Sequence, residues 1–212
     1  MGAIVTVDQQ NPSPEVVDRA VSCAKAGGVL VMPTDSVYGI GCAATADNPA
    51  HMRIFDIKHR DRAQTLPWLV ADVEDLERYG RDVSPAAFLL ARKCWPGALT
   101  LVVRASGEVP KEYVLSATQT IALRLPASEL VRQIARGMGV PMATTSANTH
   151  GATPATSGHG VEARIVEAVD LTLDGGPAPI AVPSTIVDCT TPELRILREG
   201  AIPGNKVREL VS

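Results

Sequence analysis

Short β-branched runs alternate with capped helical segments along almost the whole of this 212-residue chain. That alternation excludes an all-helical or all-strand fold and points to helices packed on a mixed sheet. Residues 3–8 alternate and are β-branched, so they read as a strand. Ser13-Pro14-Glu15 opens a helix, with Ser13 placed to cap it and Pro14 at its first position. Val17, Ala20, Val21 and Ala24 recur at helical spacing until Gly27-Gly28 stops the run. Val29-Leu30-Val31-Met32 is a continuous apolar run suited to a buried strand, and the turn formers of 33–42 after it read as a functional loop. The same signals predict helices over 49–57, 72–79, 84–95, 127–136 and 161–168. They place strands over 66–71, 99–103, 120–125, 142–146, 169–173, 184–188 and 194–198. Gly137 and Gly139 fall past the end of the 127–136 helix. No long linker, repeat or low-complexity block interrupts the pattern, so the expectation is one α/β domain over 1–212. The order of the strands is not legible from periodicity.

Composition narrows the function. Apolar residues make up 45% of the chain but aromatics only 3%, so Val, Leu, Ile and Ala must fill the core. A net charge of −3 argues against a general nucleic-acid binder, while 20 Lys and Arg suffice to line a local basic cleft. Cys23, Cys42, Cys94 and Cys189 are widely spaced, which reads as reduced, mostly buried thiols and not as a zinc or disulfide framework. No apolar run reaches the roughly 18 residues of a membrane span, and no signal peptide is evident. The expectation is a cytoplasmic protein without a membrane partner.

The chain lacks a GxxxxGK[ST] loop, a GxGxxG after a strand, a GxSxG elbow and an HExxH helix. His51, His59, His150 and His159 are scattered without ligand spacing and read as surface residues. Cations instead stand at element ends beside small polar groups. Lys58, Arg60 and Arg62 close the second helix, Arg124 precedes Pro126, and Arg198 ends the last strand. Thr34, Thr120, Ser146, Asn148 and Ser184 occupy similar boundaries. Arginine forks, a lysine point charge and short hydroxyls together suit carboxylate and phosphate recognition.

Read together, seven segments resemble the YrdC-type threonylcarbamoyl-AMP synthase family. They are Pro33-Thr34-Asp35-Ser36-Val37-Tyr38-Gly39-Ile40-Gly41, Lys58-x-Arg60, Trp95-Pro96-Gly97-Ala98-Leu99-Thr100-Leu101, Leu123-Arg124-Leu125-Pro126, Thr145-Ser146-Ala147-Asn148, Ser184-Thr185-Ile186-Val187-Asp188 and Ile196-Leu197-Arg198-Glu199-Gly200. They occur in the family's order over about residues 14–203, in the single-domain form. The resemblance implies a twisted mixed sheet, parallel and antiparallel, flanked by helices, with a large basic concave cleft. It implies condensation of L-threonine, bicarbonate and ATP to threonylcarbamoyl-AMP and pyrophosphate. The product would pass to a separate tRNA-modifying threonylcarbamoyl transferase, with at most a weak tRNA contact by this chain. The match puts Thr34, Arg124, Ser146 and Ser184 on threonine. Lys58 and Arg60 would serve catalysis and phosphate binding. Gln64, Thr120, Asn148, Thr156 and Arg198 would contact ATP. Mg2+ would accompany ATP, held mainly by phosphate oxygens and water, because no carboxylate cluster stands out. Asp61, Ala98 and Leu69 depart from the family's usual residues. Residues 149–160, rich in Gly and Pro, are a candidate lid. The competing readings are an RNA-binding module and a related carbamoyl-adenylate enzyme with another acceptor.

Overall fold

The computed structural model describes residues 3–211. Among these residues one mixed sheet of eleven strands carries the whole chain. The strands are β1 (Ala3–Thr6), β2 (Leu30–Met32), β3 (Gly39–Ala43), β4 (Trp68–Leu69), β5 (Gly80–Arg81), β6 (Leu99–Ala105), β7 (Thr120–Arg124), β8 (Met142–Ser146), β9 (Leu171–Asp174), β10 (Thr185–Asp188) and β11 (Arg195–Arg198). Their spatial order is β1-β9-β2-β3-β8-β4-β7-β6-β10-β11, with β5 on β6. β1 and β2 run parallel to β9, β4 to β7, and β6 to β10, while the remaining pairs are antiparallel.

Seven helices flank the described sheet: α1 (Pro14–Lys25), α2 (Pro49–Lys58), α3 (Asp75–Tyr79), α4 (Pro85–Cys94), α5 (Glu129–Met138), α6 (Ala163–Ala168) and α7 (Gly204–Val211). Their starts follow from capping chemistry. Ser13 and Ser84 accept from the amides of Val16 and Ala87, with Pro14 and Pro85 next to them, as expected. Asn48 does the same for α2, which ends on His59 in the left-handed region. α3 begins later than residue 72 because the Asp75 carboxylate takes the amides of Ala71 and Asp72, holding that stretch as a turn. α5 runs on through Gly137 to Gly139, at φ 77°. Gly137 is an interhelical contact and not a stop, since a Cβ there would lie 2.7 Å from Val21 on α1.

The two faces of the sheet bury separate cores. On one face Ile40, Trp68, Leu101, Ile121 and Leu123 pack with Ile54 and Phe55 of α2, Leu90 of α4 and Val207 of α7. On the other, Leu30, Met32, Met142 and Leu171 pack under α1 and α5. Each fully buried aliphatic or aromatic side chain contributes about 1.5–3 kcal/mol. α1 and α5 roof only part of the second face. Beyond them Thr100, Arg124 and Ile186 stand on that face without joining its core, and this is where a cleft opens. Strand β3, within the stretch read as a loop, belongs to the cleft floor. Gly39 and Gly41 sit opposite Ser146 and Thr144, and a Cβ on either would come within 2.7 Å of Thr144.

The cysteines are all free, with Cys42 and Cys189 buried and Cys23 and Cys94 half-buried. Burial pushes the Cys42 thiol up to about 12, which makes it a packing group. His51 is not on the surface. It is 6% exposed, edge-on to Phe55 and tilted against Tyr113. None of the described helices is long and apolar enough to cross a membrane.

Candidate active site

The cleft, open to solvent, spans about 640 Å³. Its wall is assembled from both ends of the chain: the 34–39 segment, Pro67 and Leu69, Thr100, Arg124, residues 144–146, Pro154, and then Pro183, Ser184, Ile186 and Arg198. Sheet order explains the assembly. β4, β7, β6, β10 and β11 are consecutive neighbours, so their cleft-side residues line up across one face. Leu69 is the register partner of Arg124 on one side and of Met142 on the other.

Arg124 is the most deeply set arginine, 5% exposed. Its Nη2 donates to Asp35 Oδ1 at 2.6 Å, its Nη1 to Ser36 Oγ at 2.7 Å and its Nε to the Gly97 carbonyl at 2.9 Å. Guanidinium carries five N–H groups, so two remain for a ligand. Asp35 Oδ1 also accepts the Ala127 amide at 3.1 Å. Motif matching assigned Asp35 no role, although it stands inside the 33–41 block. A carboxylate beside Thr34, with a lone strand Arg elsewhere in the chain, is the signal that could have found it.

The hydroxyls beside Arg124 have a fixed polarity. Thr34 donates its one proton to the Val37 carbonyl at 2.7 Å, so the 3.0 Å contact between Thr34 and Ser36 must run from Ser36 to Thr34. Thr34 also accepts the Ser36 amide. Its hydroxyl is fully engaged, whereas Ser36 Oγ keeps one lone pair. Across the cleft, Thr100 and Ser184 share a 2.8 Å hydrogen bond, and Arg198 at the rim donates to the Ser184 carbonyl at 2.7 Å and to its hydroxyl at 3.2 Å. Thr100, buried and part of the wall, is a second residue that motif reading passed over.

Lys58 and Arg60 act on the wall from behind. Lys58, 1% exposed, donates to the carbonyls of Ser146 and Asn148 at the end of β8. Burial, and then the neighbouring Arg60, pull its ammonium down to about 8. Arg60 donates to Thr145 Oγ1 at 2.6 Å and to the Thr65 carbonyl. Burial and then Arg198 lower Arg60, and burial and then Arg124 lower Arg198. The three arginines therefore sense one another around a single hollow.

The remaining expected residues lie apart from the cleft wall. Thr120 shares the face of Arg124 but stands at the opposite end of β7, about 13 Å along the strand. It bonds to Thr118. Asn148 is buried, with its amide donating to the carbonyls of Thr149 and Ala152 and its Oδ1 without a partner among the described residues. Gln64 and Thr156 are exposed. Segment 149–160 is tied down by Thr149 to Glu162, by the Tyr38 amide to Ala155 and by the Ala178 amide to Thr156. Among the described residues no group of three or more His, Cys, Asp or Glu could hold a metal.

The Sua5/YciO/YrdC family model, described as telomere recombination, matches residues 22–200. A putative threonylcarbamoyl-AMP synthase of Mycobacterium tuberculosis is 34% identical over 192 residues, covering 91% of this chain and 87% of the relative. The threonylcarbamoyl-AMP synthase of Pyrococcus abyssi is 33% identical over 192 residues, covering 91% of this chain and 56% of the relative. The crystal structure of P. abyssi Sua5 complexed with L-threonine matches with a TM-score of 0.92 at 31% identity, over 99% of this chain and 61% of that one. The crystal structure of Escherichia coli YciO matches with a TM-score of 0.87 at 28% identity, over 98% of this chain and 99% of that one. The chain thus spans little more than half of the P. abyssi relative and nearly all of YciO. By the extent of the family match and these identities, the chain belongs to the Sua5/YciO/YrdC family.

Proposed function

We propose that this chain is an L-threonylcarbamoyladenylate synthase, condensing L-threonine, bicarbonate and ATP to threonylcarbamoyl-AMP and pyrophosphate. The observation that carries the reading is the convergence of Arg124 and Arg198, with Arg60 behind them, on one hydroxyl-lined cleft. Two N–H groups of Arg124 are left to grip a carboxylate. The P. abyssi relative solved with L-threonine has the same fold at 31% identity, which favours an amino acid there. Arg198 would then meet the phosphates and the bicarbonate-derived group, with Arg60 and Lys58 adding positive charge from behind the wall, Ser146 between the two ligands and Ser184 beside threonine. Asn148, Gln64, Thr156 and Thr120 would serve the nucleotide where it extends past the wall.

The chemistry brings two anions together, a carbamate and a triphosphate. Fixed cations in a partly dry cleft offset their repulsion, and rate enhancement comes from positioning and charge stabilisation without a protein nucleophile. Mg2+ would arrive on the triphosphate and neutralise it. The donor set fits that route, because the cleft wall is hydroxyl and guanidinium and not carboxylate. The product would pass to a separate transferase for tRNA modification in the cytoplasm.

Mass spectrometry of the nucleotide formed from L-threonine, bicarbonate and Mg-ATP tests the assignment. The expected product is threonylcarbamoyl-AMP, with pyrophosphate released only when both threonine and bicarbonate are present. Turnover with another amino acid in preference to threonine would move the chain to a different acceptor. Tight RNA binding without turnover would replace the reading altogether.

A further inference from the structure

The cleft is cationic and its wall holds no anionic group, and the second property bears on how a substrate amine can bind. Every element packed against it points the same way. β7 and β11 contribute Arg124 and Arg198, and the end of α2 sets Lys58 and Arg60 behind β8. Asp35 belongs to the 34–39 side but lies outside the wall, its Oδ1 taking Arg124 and the Ala127 amide and its Oδ2 buried without a partner among the described residues. Glu162 is held by Thr149 and Arg164, also outside it. The Tyr38 phenol is bound at Asp174, Gly175 and Gly176. Among the described residues no carboxylate or imidazole lines the cleft.

Several backbone acceptors around it already take a donor. Val37 O takes Thr34, Gly97 O takes Arg124, Ser184 O takes Arg198, and Ser146 O and Asn148 O take Lys58. What the wall offers a ligand nitrogen is the lone pairs of neutral oxygens, among them that of Ser36, whose own proton is committed to Thr34. Such a wall receives a carboxylate readily. It disfavours an ammonium twice, through like charge and through desolvation.

We propose that the cleft binds its α-amino acid with the amine as the free base, the proton leaving to solvent on entry. This rests on the synthase reading above. A neutral amine is what the first step requires. Its lone pair forms a C–N bond to the carbon of bicarbonate while a C–O bond breaks, so that R–NH2 and HCO3− give R–NH–COO− and water. Charge and atoms balance, and no protein base is needed because the ammonium proton has already gone. Ser36 is a positioning residue here: by accepting one N–H it aims the nitrogen lone pair away from the wall.

Isothermal titration calorimetry of L-threonine into the full chain at pH 7, in buffers of different ionisation heat, counts protons directly. The expected result is about one proton released per threonine bound, with affinity tightening about tenfold per pH unit between 6.5 and 7.5. 2,3-Dihydroxybutyrate, with a hydroxyl in place of the amine, is expected to bind without that pH dependence. It also controls for titration of Lys58, which would weaken anion binding as pH rises. Measurable threonine binding without proton release overturns the proposal and leaves the synthase reading standing. An equal pH slope for dihydroxybutyrate overturns it too, by placing the proton on the protein. Absence of both threonine binding and threonine-dependent product overturns the synthase reading and this proposal together.

Discussion

Replacing Asp35 by Asn isolates what holds Arg124 in place. The two side chains are 4% and 6% exposed and meet at 2.6 Å. Asn keeps the shape and one acceptor oxygen but removes the charge, leaving a guanidinium inside the protein without its counterion. Breaking a buried pair from one side costs about 3–5 kcal/mol, mostly the penalty of the stranded charge. Unfolding entropy of about 2.1 cal/mol/K per residue gives roughly 0.45 kcal/mol/K for a chain of this size, so Tm should fall by about 7–11 °C. Differential scanning calorimetry of wild type, Asp35→Asn and Asp35→Asn/Arg124→Met reads this. The double variant removes the stranded charge and should melt at or above the single one, despite losing the bonds to Gly97 and Ser36. A fall of less than about 2 °C for Asp35→Asn, equivalent to about 1 kcal/mol, would show that other groups carry the charge of Arg124 and would refute the reasoning.

Three further outcomes are expected. His51 is buried among rings with its pKa lowered from 6.5 by desolvation, so the unfolded chain binds its proton more readily and stability should fall as pH drops below about 6.5; urea melts at pH 7.5 and 5.5 should show a smaller drop for His51→Phe than for wild type. Lys58 titrates at about 8 when folded against 10.5 when free, so its charged form is disfavoured by folding, and wild type should gain stability between pH 8 and 10.5 relative to Lys58→Met; parallel pH profiles for the two proteins would disprove this. At Gly41 an added Cβ would sit 2.8 Å from the Ala143 carbonyl and 2.6 Å from Thr144 Oγ1, so Gly41→Ala should lose about 1–3 kcal/mol by overpacking, and an unchanged denaturation midpoint would count against a close-packed floor.

The sequence spoke most clearly where a local interaction decides structure. Ser13-Pro14 and Ser84-Pro85 announce α1 and α4 because capping involves only the next three residues. It spoke less clearly where distant partners decide. β3 hides behind Gly39 and Gly41, which resemble turn formers until Thr144 arrives from β8 to need their missing side chains. Gly137 looked like a helix stop because Val21, which presses on it, lies more than a hundred residues away. α7 and the two-residue β5 left no cap or alternation strong enough to notice. Among the site residues, Arg124, Arg198, Thr34, Ser146 and Ser184 come together in the cleft. Asp35, Ser36 and Thr100 went unassigned because their work is to engage other side chains, and a hydrogen-bond partner cannot be read from a list of residue types. His51 went astray for the reverse reason: a lone polar residue gives no sign of the aromatic rings that enclose it.

The cleft wall draws its parts from residues 34 to 198, stitched edge to edge by the order of the strands. No single hairpin holds even half of it, so the pocket is complete only once strands from both halves of the chain have paired. Recovery of ligand binding after dilution from denaturant should trail the return of helical signal, and a bound ligand should tighten the entire sheet and not one corner of it.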